Sequence, residues 1–231
     1  NCCLFMPHAV KRDNLINRLA PDSQGNAIML DARIRPYIDR PLALAAERLV
    51  ARKVSANTVT LAGFCVGLAA VPAIAAGAYP LALTLILINR LSDGLDGAVA
   101  RLTGKTDLGG YLDIVCDFIF YSAIIFGFAL ASPGNSLPAA FLIFSFMGTG
   151  ASFLTFAIMA EKRGITTDIR GSKSLYYLGG LTEGTETIVL FVAICLWPEY
   201  FPVLAWAFGA LCWVTTISRI TAAWQTFGDA G

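Results

Sequence analysis

Four aspartates, Asp93, Asp96, Asp113 and Asp117, stand beside or within strongly apolar stretches of the sequence. A carboxylate near a bilayer is costly unless it is paired, hydrated or bound to a cation, so each is read first as functional. Residues three or four apart share one face of a helix. That puts Asp93, Asp96, Gly97, Ala100 and Arg101 on one stripe and Gly109, Asp113 and Asp117 on another. Two such stripes facing each other bring four carboxylates together. Four like charges at close range cannot all stay ionised unaided, and two divalent cations would neutralise them. All-oxygen ligation favours Mg²⁺ or Mn²⁺ over zinc, and His8, the one histidine, lies outside the apolar stretches. Paired metals clamp the attacking and leaving oxygens of a phosphoryl displacement. The neighbouring residues suit a diphosphate: Gly97 and Ala100 remove bulk, and Arg101 offers a planar fork to phosphate oxygens. Small residues at Gly97, Ala100 and Gly109 also serve close helix packing.

Hydropathy and charge show which elements must hold these residues. Of 231 residues, 56% are hydrophobic and 14% charged, with a mean hydropathy of +0.65, too apolar for a water-soluble domain. A net charge of +1 and a pI near 7.7 give no basic surface for nucleic acid, and no such partner is expected. No charge interrupts the 36 residues from Val54 to Asn89 or the 43 from Phe118 to Ala160. A crossing needs about 20 apolar residues, so each run holds two spans, divided at Gly77-Ala78-Tyr79-Pro80 and at Ser132-Pro133-Gly134-Asn135-Ser136. Two more follow, from Tyr176 to Trp197 and from Phe201 to Ser218. The expected fold is an all-α integral membrane protein, a bundle of six transmembrane helices. All 17 Lys and Arg fall on one side of it, since the loops at Ala78, Ser132 to Ser136 and Pro198 to Tyr200 hold none. Basic residues stay in the cytoplasm, so both termini and the aspartates are expected there.

The segment Leu30 to Lys53 alternates Arg33, Arg35, Arg40, Arg48, Arg52 and Lys53 with Ile34, Tyr37, Ile38, Leu42, Ala45 and Leu49. This predicts a juxtamembrane amphipathic helix on the cytoplasmic surface, starting near Pro41, although a plain basic flank has the same composition. The chain divides into 1–28, an upstream extension that receives no function, 29–55, the juxtamembrane segment, 56–222, the membrane domain, and 223–231, a tail. Cys65, Cys116, Cys195 and Cys212 lie inside predicted spans without a pairing pattern and read as small apolar residues. Between the fourth and fifth spans, Lys162, Arg163, Arg170 and Lys173 could hold a phosphorylated ligand, but the positive-inside rule accounts for them equally. Glu183 and Glu186, three apart, share a face at the start of the fifth span and could shape a pocket or order the neighbouring basic residues.

The run Asp93-Gly94-Leu95-Asp96-Gly97-Ala98-Val99-Ala100-Arg101, then seven residues, Gly109, three, Asp113, three and Asp117 resembles the signature of the CDP-alcohol phosphatidyltransferase family, D-x2-D-G-x2-A-R-x7 or 8-G-x3-D-x3-D. All eight fixed positions match. The resemblance implies a six-helix membrane enzyme, a homodimer, working on CDP-diacylglycerol or another CDP-alcohol and a small polar alcohol in phospholipid biosynthesis. It implies two Mg²⁺ or Mn²⁺ ions held by Asp93, Asp96, Asp113 and Asp117, with Asp117 also the general base, and Gly97, Ala100 and Arg101 against the CDP portion. Gly109 is the motif glycine. Similar enzymes carry P-N-x-x-T at the start of the first span. Asn57 and Thr60 match it, with Ala56 in place of the proline, and become further nucleotide-binding candidates. The inner membrane of a bacterium is the expected location. The acceptors expected first are glycerol 3-phosphate and inositol phosphate, with Arg163, Arg170, Lys173, Glu183 and Glu186 as candidate acceptor residues. A carboxylate-lined ion or proton transporter is the alternative, but it leaves Gly97, Ala100 and Arg101 without a role. Asp117→Asn is expected to abolish CMP release from folded protein; a fully active Asp117→Asn enzyme would remove the general-base assignment.

Overall fold

The computed structural model describes residues 30–164, 182 and 184–228, with side chains from Pro41 onward. Among the described residues all regular structure is helical. The helices are α1 (Leu30–Ala51), α2 (Ala56–Leu68), α3 (Ala70–Ala75), α4 (Tyr79–Thr103), α5 (Asp107–Ala131), α6 (Ser136–Lys162), α7 (Gly184–Leu196) and α8 (Phe201–Phe227). The expected segment 1–28 and the first residues of the span from Tyr176 lie outside the described residues.

Local chemistry sets the helix boundaries. Lys53 adopts a left-handed conformation (φ 60°), and Val54 N–H donates to the Leu49 carbonyl at 3.0 Å, which closes α1. The Ser55 hydroxyl accepts from the Thr58 N–H at 3.2 Å and starts α2. Pro72 has no N–H to offer the Leu68 carbonyl, so the helix breaks at Ala69 and α2 and α3 together form one interrupted rod. Gly104, at φ 101°, turns the chain out of α4, and Thr106 caps α5 by accepting from the Gly109 N–H at 3.1 Å.

Among the described residues four helical stretches are long and apolar enough to cross a membrane: Ala56–Ala75, Asp107–Ala131, Pro133–Lys162 and Pro198–Phe227. α4 has the length, 25 residues, but carries Arg90, Asp93, Asp96 and Arg101. The described part of α7 is apolar and 13 residues long. α8 continues unbroken to Phe227, past the boundary read at Ser218. α1 begins at Leu30 and runs through Pro41, so this proline lies inside the helix and not in its first turn. Ala46, fully buried, and Leu42, Leu49 and Val50 form a stripe packed with Leu95, Ala98 and Val99 of α4, while Arg48, Arg52 and Lys53 face outward.

The main core joins Ile74 of α3, Ile86 of α4, Phe120, Ile124 and Phe128 of α5, Leu142 of α6, Phe191 of α7 and Phe201 of α8. Phe128 stacks on Phe201 at 4.6 Å, and Phe120 meets Phe191 edge-on at 6.1 Å. Outward-facing Leu81, Leu91, Phe126, Leu137, Phe144, Met147 and Val203 leave the perimeter apolar, as lipid requires. Glycine allows the closest approach beneath the aspartates. A Cβ on Gly67 would lie 2.7 Å from the Phe120 ring and 2.9 Å from the Asn89 side chain. Gly67→Val is therefore expected to destabilise the bundle by about 1–3 kcal/mol, read as a lower unfolding temperature in detergent. An unchanged melting curve would show that α2, α4 and α5 can separate freely here.

Candidate active site

α4 and α5 approach α2 with their polar stripes inward. They form a cleft lined by Thr60, Gly63, Phe64, Asn89, Arg90, Asp93, Asp96, Asp113, Cys116 and Asp117. All four sequence-predicted carboxylates line this one cleft. Asp96, buried, accepts from the Thr60 hydroxyl at 2.5 Å. Asp117 accepts from Arg90 Nη2 at 2.8 Å, and Asp93 stands 4.0 Å from Arg90 Nη1.

Arg90 is the residue that sequence reasoning missed. Its side chain is only 9% exposed. Nε and Nη2 both donate to Asn89 Oδ1, Nη1 donates to the Tyr121 hydroxyl at 3.0 Å, and the guanidinium lies 4.5 Å from the Phe120 ring centre. Asn89 is itself buried and donates to the Gly63 carbonyl at 2.9 Å. The available signal was an arginine one turn before Asp93, at the edge of an uncharged run, where a cation is as costly as a carboxylate.

The other predicted nucleotide residues are not among those that line the cleft: Gly97, Ala100 and Arg101 follow Asp96 on α4, and Asn57 stands one turn before Thr60 on α2. Arg101 is exposed, and its Nη1 would lie in ordinary contact, 3.6 Å, with a Cβ placed on Gly97, so the guanidinium lies along α4 beside this glycine. Ala100 is half-buried on the same face of α4. Asn57 Oδ1 would stand 3.1 Å from a Cβ on Gly109, which ties the motif glycine to the start of α2. Arg163 is placed elsewhere: it caps α6, donates to the Phe227 carbonyl at 3.2 Å and covers the Phe227 ring, and so joins the ends of α6 and α8. Glu186 is exposed in the first turn of α7. Arg170, Lys173 and Glu183 lie outside the described residues. A second cation counted only as a loop charge, Arg219, is buried in α8 and donates to the Thr149 carbonyl at 3.1 Å.

A hard divalent cation fits the donor set, since every anionic group in the cleft is a carboxylate and four of them line it. Among the described residues no three acidic, histidine or cysteine side chains stand as a ready-made ligand set. Asp117 is instead turned to Arg90 and Asp96 to Thr60.

A helical membrane bundle with this cleft defines a class, and the chain belongs to it: residues 53–218 match the model of the CDP-alcohol phosphatidyltransferase family, so the protein is a transferase of phospholipid biosynthesis. It is 50% identical to inner membrane protein YnjF of Escherichia coli over 200 residues, 86% of this chain and 97% of that one. It is 27% identical to an archaetidylinositol phosphate synthase of Pyrococcus horikoshii over 192 residues, 82% of this chain and 94% of that one. The fold matches that of Mycobacterium tuberculosis phosphatidylinositol phosphate synthase crystallised with CDP-DAG. The TM-score is 0.61 at 22% identity, over 80% of this chain and 94% of that one. A second crystal structure of that enzyme holds manganese and citrate, with a TM-score of 0.60 at 21% identity, over 79% and 88% of the two chains. Membership in the family sets aside the transporter alternative.

Thr60→Val removes the one side-chain hydroxyl on Asp96 while keeping its bulk. It is expected to lower CMP release by about tenfold, the loss that follows when a carboxylate that holds a metal is deprived of its orienting partner, should Asp96 be one, with Thr60→Ser retaining most of the rate. Equal rates for Val and Ser would confine Thr60 to packing.

Proposed function

We propose that this chain transfers a phosphatidyl group from CDP-diacylglycerol to a hydroxyl of a phosphorylated polyol, inositol phosphate before glycerol 3-phosphate, and releases CMP. The observation that carries the reading is the cleft, where the carboxylates of α4 and α5 meet within reach of Arg90 and Thr60. Inositol phosphate is favoured because two relatives, at 27% and 28% identity, are archaetidylinositol phosphate synthases. The crystallised M. tuberculosis enzyme with CDP-DAG supports the donor.

On this reading α4 and α7 also cross the bilayer, which gives six spans in the inner membrane of a bacterium. The relative named as an inner membrane protein supports the location. The one-sided distribution of Lys and Arg puts both termini and the cleft in the cytoplasm. Residues 29–55 form the juxtamembrane segment, 56–222 the catalytic membrane domain and 223–231 the tail, and the working unit is a homodimer.

Asp93, Asp96, Asp113 and Asp117 would hold two Mg²⁺ or Mn²⁺ ions, whose charge offsets that of the diphosphate and of the departing CMP. Arg101 binds the diphosphate through its planar fork, and the small surfaces of Gly97 and Ala100 let the CDP portion lie against α4. Asn57 and Thr60 border the same space. Asp117 takes the proton from the acceptor hydroxyl. That oxygen then forms a bond to the lipid-side phosphorus as the bond from this phosphorus to the CMP oxygen breaks, and CMP carries away the electron pair. Orientation and electrostatic stabilisation provide the acceleration, as in other phosphoryl transfers. Glu186 and Arg163, with Arg170, Lys173 and Glu183, are the residues from which acceptor contacts would come.

Protein purified in detergent with CDP-diacylglycerol and Mn²⁺ or Mg²⁺ is expected to release CMP with inositol phosphate. Release should be lost on chelation with EDTA and recovered when Mn²⁺ is added back. CMP formed with glycerol 3-phosphate alone moves the acceptor to that polyol phosphate, and CMP formed only with serine or free inositol overturns the phosphorylated acceptor. Full activity in EDTA would exclude the divalent ions.

A further inference from the structure

The Arg90 guanidinium is fixed from several directions independently of the carboxylate it serves. Asn89 Oδ1 takes two of its N–H groups, and Asn89 is pinned to the Gly63 carbonyl of α2 at 2.9 Å. The Tyr121 hydroxyl takes a third at 3.0 Å. The plane rests on Phe120 at 4.5 Å and Tyr121 at 5.0 Å. Phe120 is in turn fully buried and held edge-on by Phe191 of α7. A cation held this way keeps its place whether or not Asp117 stays bonded to it. Its one bond to Asp117 engages Oδ1 at 2.8 Å. The other carboxylate oxygen remains for the cleft, because a guanidinium held side-on by one nitrogen does not close both.

We infer that Arg90 is a positioning residue of the transferase: it tethers Asp117 by one oxygen so that the other faces the reacting groups, and it is a fixed positive charge that limits how tightly the four carboxylates bind divalent ions. The inference rests on the proposed role of Asp117 and adds a residue outside the family signature. Lysine cannot replace this arginine, because a single ammonium cannot reach Asn89, Tyr121 and Asp117 at once or stack on two rings. Charge and geometry can therefore be separated by two substitutions. Arg90→Lys keeps the charge and breaks the tether, whereas Arg90→Gln removes both.

Full-length protein in detergent is titrated with Mn²⁺ alone, followed by electron paramagnetic resonance, and CMP release is measured alongside. Arg90→Lys is expected to bind Mn²⁺ within threefold of the parent. Its kcat should fall at least tenfold with the donor KM within threefold, and the spectrum of bound Mn²⁺ should change. Arg90→Gln is expected to bind Mn²⁺ at least threefold more tightly than the parent. Parental kcat and spectrum in Arg90→Lys overturn the tether, and unchanged or weaker Mn²⁺ binding in Arg90→Gln overturns the charge role. Tyr121→Phe keeps the ring and deletes one strut, and so decides the matter where the arginine variants do not fold: kcat should fall about threefold or more, and an unaltered kcat and Mn²⁺ spectrum overturn the tether. Should the parent release no CMP from any donor, the transferase chemistry proposed above fails, and the order of Mn²⁺ affinities still decides the role of Arg90.

Discussion

Four carboxylates crowd one cleft of a bundle with a largely apolar core, and their mutual repulsion must be met by counter-charge and by a rigid frame. The frame is made where α2, α4 and α5 touch. Glycines at 63 and 67 let α4 and α5 come close enough for Asn89 to bond the α2 backbone and for the Phe120 ring to pass beneath it. The same ring is the floor under Arg90 and a member of the main core. Packing and electrostatics therefore meet in one residue: a loss of core density at Phe120 or Phe191 would reach Asp117 through the guanidinium that lies between them.

The carboxylate stripes were legible because helix periodicity is a local property. Intervals of three and four are enough to align Asp93 with Asp96 and Asp113 with Asp117, and the cleft contains all four. The glycine before Asp113 was legible as a requirement for space, and its neighbours prove to be Thr106 and Asn57. Arg90 was not legible, since its meaning depends on Asp117 and Tyr121, 27 and 31 residues further along on another helix. A positive-inside tally counts every arginine as a loop charge and so erases this one, together with the buried Arg219 of α8. Arg163 has a contact that its neighbours in sequence do not announce: it sits among basic residues, and in space it bonds the far end of α8.

Composition read the bundle correctly at the level of class and less well at its edges. Among the described residues four stretches have the length and hydropathy of spans. The helix that carries the chemistry departs from that pattern because a functional helix must hold charge where a structural one holds leucine. The start of α1 was misplaced because Pro41 was read as a first-turn proline. The helix accommodates it internally while the stripe that follows, from Leu42 to Val50, finds apolar cover on α4.

That cover bears on how the cleft meets its ligand. The face of α4 that α1 covers carries Leu95, Ala98 and Val99, so the opposite stripe, Asp93, Asp96, Gly97, Ala100 and Arg101, is left uncovered by α1. Arg101 follows Asp96 by five residues, but its side chain turns back along the helix, which brings the guanidinium beside Gly97, next to Asp96 in the chain. A Cβ at 97 would meet the Arg101 guanidinium at an ordinary contact distance of 3.6 Å and no atom of another helix, so the glycine there leaves this face of α4 low and open and does not serve contact between helices.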